Sequence, residues 1–411
     1  MISKLKKIIM ALIKFAITNS TVVNPNPTPN PTVYLQPSNG LGFGTVSPLN
    51  WQDFFENTYI PATISNQTRS SQTVSPSVGG AYRSQPVNGK IDWYFSNMAM
   101  NQYVGTPNYV YNGDLGAKSI NVQTRIKEYM NKYIGFLNTS TNTINNRANI
   151  TASGSTADTE DSHDSYISTF LQMASNYMTT YNDTTWWNSN LGTLKNMANT
   201  LVANINPTYS MTANLFFQPI LAGGFQPQFY LEDNTESYRG LKDFSLILRQ
   251  LNDASWSFYD GKADVIKNGI ENNLYNSSQN RFEIAIEKAP TLGYIFAFNP
   301  TRWYADWQCQ TFPTLYDVPI TASKVSSAYN TMNTSTVGSQ WNVNTVSLWS
   351  SATNDPFAFQ DGFLALVGAK KGLVQQSKNV IQRTEEARNN FGYVTISDIA
   401  FAGKAKKLLN I

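Results

Sequence analysis

From about Ile91 onward, apolar residues recur at helical spacing in segment after segment, and strand-like alternation is scarce. Residues 120–137 place Ile120, Ile126, Tyr129, Met130, Tyr133, Ile134 and Leu137 near one face, with polar residues between them. Residues 165–180 do the same with Tyr166, Phe170, Met173, Ala174 and Tyr177. The pattern predicts further helices over 184–203, 235–251, 254–274, 300–315, 322–332, 355–368 and 372–390, with 281–286 the best strand candidate. The pairs Asn182-Asp183 and Asn252-Asp253 fill short polar turns, so successive helices are expected to lie antiparallel. A run of such pairs has two common solutions, an open solenoid or a closed barrel.

The chain of 411 residues is long enough to bury a sizeable core, and 41% of it is hydrophobic. Charged residues make up 14%, below the roughly 25% of an average soluble protein. Asn, Thr and Ser therefore carry much of the solubility. A net charge of +3 with no basic stripe argues against nucleic acid as a partner. One cysteine, Cys309, allows no intrachain disulfide. With one histidine, His163, the chain cannot build a zinc site of the usual His/Cys kind, and no calcium-loop pattern occurs. No metal or other cofactor is expected.

Lys4, Lys6 and Lys7 precede a short apolar run, Ile8 to Ile13, as in a secretory signal. Residues 1–20 are expected to export the chain, to the outside or the periplasm, or to hold it at a membrane as an amphipathic helix. Residues 21–45 contain Asn-Pro-Asn-Pro-Thr-Pro-Asn-Pro, a semi-rigid linker, and residues 46–411 form the helical domain. Nothing in the sequence fixes the oligomeric state.

Three constellations carry acids. Asp158, Glu160, Asp161 and Asp164 crowd around His163, and four close carboxylates repel unless solvated, paired or partly protonated, the last being one route to a general acid. Capping of the following helix explains one or two of them equally well. Asp233 and Glu236 stand three apart at the start of a helix, either as a functional pair or as a capping box. Gly240, four residues on, permits a close approach. Asp306 lies among Trp303, Tyr304 and Trp307, which suits a sugar subsite with stacking rings or a buried acid in an aromatic core. Asp92, Asp164, Glu236 and Asp306 recur at nearly constant intervals, with Asp361 after a shorter one. If the helix pairs close into a ring, these acids meet at one mouth.

The order of the segments Ile91-Asp92-Trp93-Tyr94, Asp161-Ser162-His163-Asp164-Ser165-Tyr166, Leu231-Glu232-Asp233-Asn234-Thr235-Glu236-Ser237-Tyr238-Arg239-Gly240 and Trp303-Tyr304-Ala305-Asp306 resembles that in bacterial six-hairpin glycosidase-like proteins. The resemblance spans about residues 50–390. It implies an all-α fold, an (α/α)6 barrel of six helical hairpins with few short strands, and a carbohydrate cleft at one end. It further implies a polysaccharide or oligosaccharide substrate cleaved by carboxylate acid/base catalysis. The catalytic candidates are Asp164, Glu236, Asp306, Asp161 and Asp233, with Asp164 and Glu236 the leading pair. Asp92, Tyr94, His163, Tyr166, Tyr238, Trp303, Tyr304 and Trp307 are the substrate-binding candidates. Two alternatives stay open: a non-catalytic glycan-binding or polymer-export protein, and a polysaccharide lyase using His163 or Tyr166 as base with Arg239 to neutralise a substrate carboxylate.

Overall fold

The computed structural model of the chain describes residues 89–113, 116–145, 147–151, 154–157, 162–213, 228–288, 293–295, 298–345, 362–386 and 396–411. The expected export segment and linker, Asp161 and Asp361 lie outside the described residues. In chain order the helices are α1 (Trp93–Tyr103), α2 (Val122–Gly135), α3 (His163–Tyr181), α4 (Thr184–Ala203), α5 (Leu231–Gln250) and α6 (Trp256–Gly269). They continue with α7 (Phe312–Leu315), α8 (Ala322–Thr334), α9 (Gly362–Lys370), α10 (Val374–Glu386) and α11 (Ile396–Leu409). A π-helical turn, Trp303–Trp307, and a 3-10 turn, Gln308–Thr311, lead into α7 and make one composite segment with it.

The odd-numbered helices form a closed inner ring. α1 packs on α3, α3 on α5, α5 on α7, α7 on α9, α9 on α11, and α11 returns to α1. The even-numbered helices pack on its outside: α2 and α4 on α3, α6 on α5, α8 on the turn before α7, and α10 on α9 and α11. The predicted periodicity distinguishes the layers only after burial is known. In α3, 14 of 19 residues are buried, so it is enclosed on nearly all sides. In α4 only 6 of 20 are, the single apolar stripe of a surface helix. α1 and α11 were not singled out as separate helices by spacing, and α11 completes the ring.

The inner helices run parallel. Asn97 of α1 donates to the Tyr166 carbonyl (3.2 Å) and to Thr169 Oγ1 (3.1 Å) of α3, and further along Asn176 of α3 donates to Asn101 of α1 (2.6 Å). Buried Ser, Thr and Asn thus bond between ring helices, so the uncharged polar residues of this chain serve the interior as well as the surface. Gly240 of α5 sits against the backbone of Ser168 in α3, where a Cβ would come within 2.5 Å of the Ser168 carbonyl oxygen. This is the close approach that Gly240 predicts.

The two ends of the ring differ. Inner-to-outer connections are mostly short. Asn182 (φ 51°) ends α3 in the left-handed conformation, and Asp183 then caps α4 by accepting from Trp186 N (3.0 Å). After α5, Asn252 is likewise left-handed (φ 56°), and Asp253 accepts from Ser255 N (3.0 Å) just before α6. Each Asp also pairs with a lysine on the preceding outer helix, Lys127 with Asp183 (3.0 Å) and Lys195 with Asp253 (2.6 Å).

Outer-to-inner connections are longer and carry small antiparallel sheets. β1 (Gly89–Asp92), β2 (Arg147–Thr151) and β3 (Gly154–Ala157) form one, and β4 (Gln228–Tyr230), β5 (Ala285–Lys288) and β6 (Gly293–Ile295) another. β1 and β4 run directly into α1 and α5, so both sheets stand at the N-terminal end of the ring. The strand expected over 281–286 is two pieces, Arg281–Phe282 and Ala285–Lys288, in different sheets.

A repeat hidden in the sequence follows three outer helices. Asn138, Asn206 and Asn276 each accept backbone N–H groups two or three residues on, and Asn142, Ser210 and Asn280, four residues later, are left-handed. Among the described residues, no helix is long and apolar enough to cross a membrane.

Candidate active site

The N-terminal turns of the inner helices hold the site. Glu236 lies in the second turn of α5, 1% exposed. Its Oε1 accepts two phenolic hydrogen bonds, from Tyr94 of α1 (2.7 Å) and from Tyr316 just beyond α7 (2.6 Å). Its Oε2 is buried with no hydrogen-bond partner among the described residues. The Tyr316 hydroxyl also lies 3.4 Å from Met98 Sδ of α1. Side chains from three inner elements therefore converge on one carboxyl group across the ring.

Glu232 stands one helical turn before Glu236 and so shares its face. Its Oε1 is 3.1 Å from the same Tyr94 hydroxyl. Burial holds the Glu236 carboxyl well above the ordinary carboxylate range, and the charges of Glu232 and Asp233 push it the same way. The Tyr316 and Tyr94 hydroxyls pull against these but do not overcome them. Burial, reinforced by nearby carboxylates, likewise keeps Tyr94 and Tyr316 protonated. The arrangement is a buried carboxyl whose neutral form burial favours, gripped at one oxygen, beside a second carboxyl.

Asp164, in the first turn of α3, is 1% exposed. Its Oδ1 accepts from Ser165 N (3.2 Å) and its Oδ2 from Thr212 Oγ1 (3.1 Å). Thr212 is fastened in turn to Asn234 of α5: its N–H donates to Asn234 Oδ1 (2.7 Å), and Asn234 Nδ2 donates back to its carbonyl (3.0 Å). Asn234 also donates to the Tyr230 carbonyl (2.8 Å). One polar seam thus ties Asp164 to the turn of α5 that carries Glu232, Asp233 and Glu236. The buried Asp233 belongs to this group, and so do the buried His163 and Tyr166, whose ring lies 5.9 Å from that of Tyr94.

The remaining candidates are placed elsewhere. Asp306 spends its carboxylate on its own segment, accepting from Asn299 N (2.7 Å) and from Arg302 Nε. Burial raises its pKa, while Arg302 and the Asn299 N–H act to lower it. Trp303 and Trp307 are core residues and not open sugar platforms, being 1% and 3% exposed. Trp307 donates to the Pro300 carbonyl (2.8 Å) and meets Phe298 edge to face (4.7 Å). The alternative of an aromatic core is the one realised there. Tyr238 is placed away from Glu236: two residues on is about 200° around a helix. Its hydroxyl turns to the charges of Lys242, Asp260 and Asp264 at the α5–α6 packing. Arg239 pairs with Asp243 (2.8 Å) and Asp317 (3.4 Å), which engages the cation that the lyase reading needs. Asp92 pairs through its backbone with Arg147, and Tyr304 lies in the π-helical turn; their side chains are outside the described ones.

Sequence reasoning passed over Glu232, Tyr316, Thr212 and Asn234. The i, i+4 spacing could have found Glu232. Tyr316 follows a short helix that only the ring brings back to Glu236. Among the described residues, no group of three or more His, Cys, Asp or Glu side chains is placed to hold a metal ion.

No protein family and no curated protein sequence matches this chain. Among solved structures, it is similar to a rhamnosidase from Klebsiella oxytoca with rhamnose bound, at 10% identity and a TM-score of 0.43, over 81% of this chain and 56% of that one. It is also similar to an unsaturated glucuronyl hydrolase specific for heparin, at 11% identity and a TM-score of 0.43, over 78% of this chain and 98% of that one. The chain thus spans little more than half the length of the rhamnosidase. The closed ring stands on the helix contacts above and not on these distant likenesses.

Proposed function

We propose that this chain is a carbohydrate-active protein that hydrolyses glycosidic bonds of a polysaccharide or oligosaccharide at the N-terminal mouth of its helical ring. One observation carries the reading. Glu236 is buried, burial favours its neutral form, and one of its oxygens has no partner among the described residues, while the other is fixed by two phenols. Such a group is a general acid, able to protonate a glycosidic oxygen as the bond to the leaving sugar breaks. Asp164, joined to the same turn of α5 through Thr212 and Asn234, is the carboxylate assigned to activate water or to stabilise the cation-like transition state. Asp233 supports both by keeping the Glu236 proton in place. Asp306 and Asp161 are the reserve candidates. Export through the N-terminal segment belongs to the same proposal, and fractionation of cells expressing the full chain tests it.

The test is a panel of neutral, amino and uronate polysaccharides incubated with the purified protein, with new reducing ends and unsaturated products both followed. Hydrolysis predicts reducing ends without ultraviolet-absorbing unsaturated ends, and Glu236→Gln should lower the rate by about 10²–10⁴-fold in a folded protein. Unsaturated ends would turn the reading to a lyase. Glycan binding with no products would leave a binding protein.

A further inference from the structure

We propose that Glu232, Tyr94 and Glu236 form a proton relay, in which the half-exposed Glu232 resupplies the buried Glu236 through the Tyr94 hydroxyl. The inference rests on Glu236 being the proton donor of the proposed hydrolysis. It goes further by assigning roles to Glu232 and Tyr94 that substrate contact does not explain.

The geometry is that of three oxygens in series. Tyr94 Oη lies 3.1 Å from Glu232 Oε1 and 2.7 Å from Glu236 Oε1. A phenol has a single proton, so it donates to one carboxyl and accepts from the other. Two arrangements exchange by a concerted shift. In the first, protonated Glu232 donates to Oη while the phenol proton points to ionised Glu236. In the second, the proton of Glu232 has passed to Oη, the former phenol proton has passed to Oε1 of Glu236, and a half-turn of that carboxyl then carries it to the unpartnered position. The pair holds one proton and one negative charge throughout, and Tyr94 is neutral before and after. Glu236 is 1% exposed, whereas Glu232 and Tyr94 are only partly buried, so the more open route for its proton runs through them.

Tyr316 shows why the arrangement is directional. It also donates to Glu236 Oε1, and its other neighbours are the Met98 sulfur, which carries no exchangeable proton, and the Tyr94 hydroxyl. Tyr316 thus reaches Glu232 only by way of Tyr94, the one phenol bonded to both carboxyls among the described residues. The ionisable groups around Glu236 are Tyr94 from α1, Tyr316 beyond α7, and Glu232 and Asp233 of its own helix, with His163 and Asp164 in the first turn of the neighbouring α3. Burial, Glu232 and Asp233 all favour the protonated form of Glu236.

The experiment reads the proton itself and needs no substrate. Infrared spectra of the full chain at neutral pH are expected to show a protonated carboxylic acid band that Glu236→Gln removes. After rapid transfer to deuterated buffer, the band should shift promptly in the wild type. In Tyr94→Phe, exchange then has to wait for local opening and should slow by about tenfold or more. Glu232→Gln should slow it likewise, which keeps the test alive if Tyr94→Phe folds poorly by circular dichroism. Tyr316→Phe should move the band position yet leave exchange fast. Equal exchange rates in wild type, Tyr94→Phe and Glu232→Gln would overturn the relay. If the relay fails while Glu236→Gln still abolishes hydrolysis, the general acid stands alone. If the relay holds and no glycan is cleaved, the hydrolytic reading falls instead.

Discussion

The hydroxyl of Tyr94 lies 2.7 Å from Oε1 of Glu236, across 142 residues of sequence. α3 packs against both of their helices, so the contact reaches across the inside of the curve that the three helices make. That packing also explains the chemistry of the carboxyl group. A glutamate on an isolated amphipathic helix would turn to water and ionise. Here α5 is enclosed on nearly every side, and the neutral form is the cheaper one.

That preference has a consequence for stability. The unfolded chain releases the Glu236 proton near the ordinary value of 4.5, while the folded protein retains it until a higher pH. Between those limits the folded state binds more protons, so this group's contribution to stability falls as pH rises. Glu236→Gln keeps an acceptor for Tyr94 and Tyr316 but cannot ionise. Melting curves from about pH 4 to about pH 8 should therefore show the variant gaining on the wild type with rising pH. Parallel curves would mean that the buried carboxyl is no more acidic or basic than a surface one.

Asp306 gives a different expectation. It is enclosed at the π-helical turn, where it ties down Asn299 and Arg302. Asp306→Asn should cost about 2 kcal/mol in urea unfolding, the cost of weakening a charge-assisted buried contact. An unchanged unfolding midpoint together with lost hydrolysis would instead return Asp306 to the catalytic group.

Much of this fold is legible in the residues. Helical spacing at 184–203 matches α4 residue for residue, and the Asn182-Asp183 and Asn252-Asp253 turns lie where the sequence puts them. Gly240 announces a close crossing, and α5 makes one. Periodicity reports one face at a time, however, and a helix of the inner ring has no free face. α9 is apolar or small almost throughout, and α1 mixes buried Asn and Ser with its aromatics, so neither shows a clean stripe. The site was half legible for the same reason. Asp164 and Glu236 stand out as acids at helix starts, but whether a tryptophan faces sugar or core depends on packing around it. Trp303 and Trp307 face core.

The close crossings supply a test of packing. Ala at Gly240 would drive its Cβ onto the Ser168 backbone, and Ala at Gly362 would meet the Asp398 backbone in α11 more closely still. Each should cost about 1–3 kcal/mol, because backbone cannot step aside as a side-chain tip can. Gly261, in outer helix α6, has nothing within 4 Å of its would-be Cβ. Gly261→Ala should stabilise by about 1 kcal/mol from helix propensity. Denaturant titration of the three variants decides the matter, and a stabilised Gly240→Ala would contradict the α3–α5 contact.

Asp253 tests the short-turn end of the ring and carries the opposite pH signature to Glu236. Hydrogen bonds from Lys195 and then Ser255 lower its pKa from 3.8 to about 2. A depressed carboxylate contributes stability that is present above its unfolded value and disappears as pH falls through its folded value. The loss should therefore run from just below pH 3.8 to about pH 2. Asp253→Asn keeps an acceptor for the Ser255 N–H and abolishes the charge, so it should flatten that acid limb and cost little in high salt, where the Lys195 pair is screened. Asp253→Ala removes the acceptor as well and should cost about 1–2 kcal/mol even in high salt. If neither variant differs from the wild type at any salt concentration, the turn is held by its backbone alone, and the lysine tether from Lys195 contributes nothing to closing the ring.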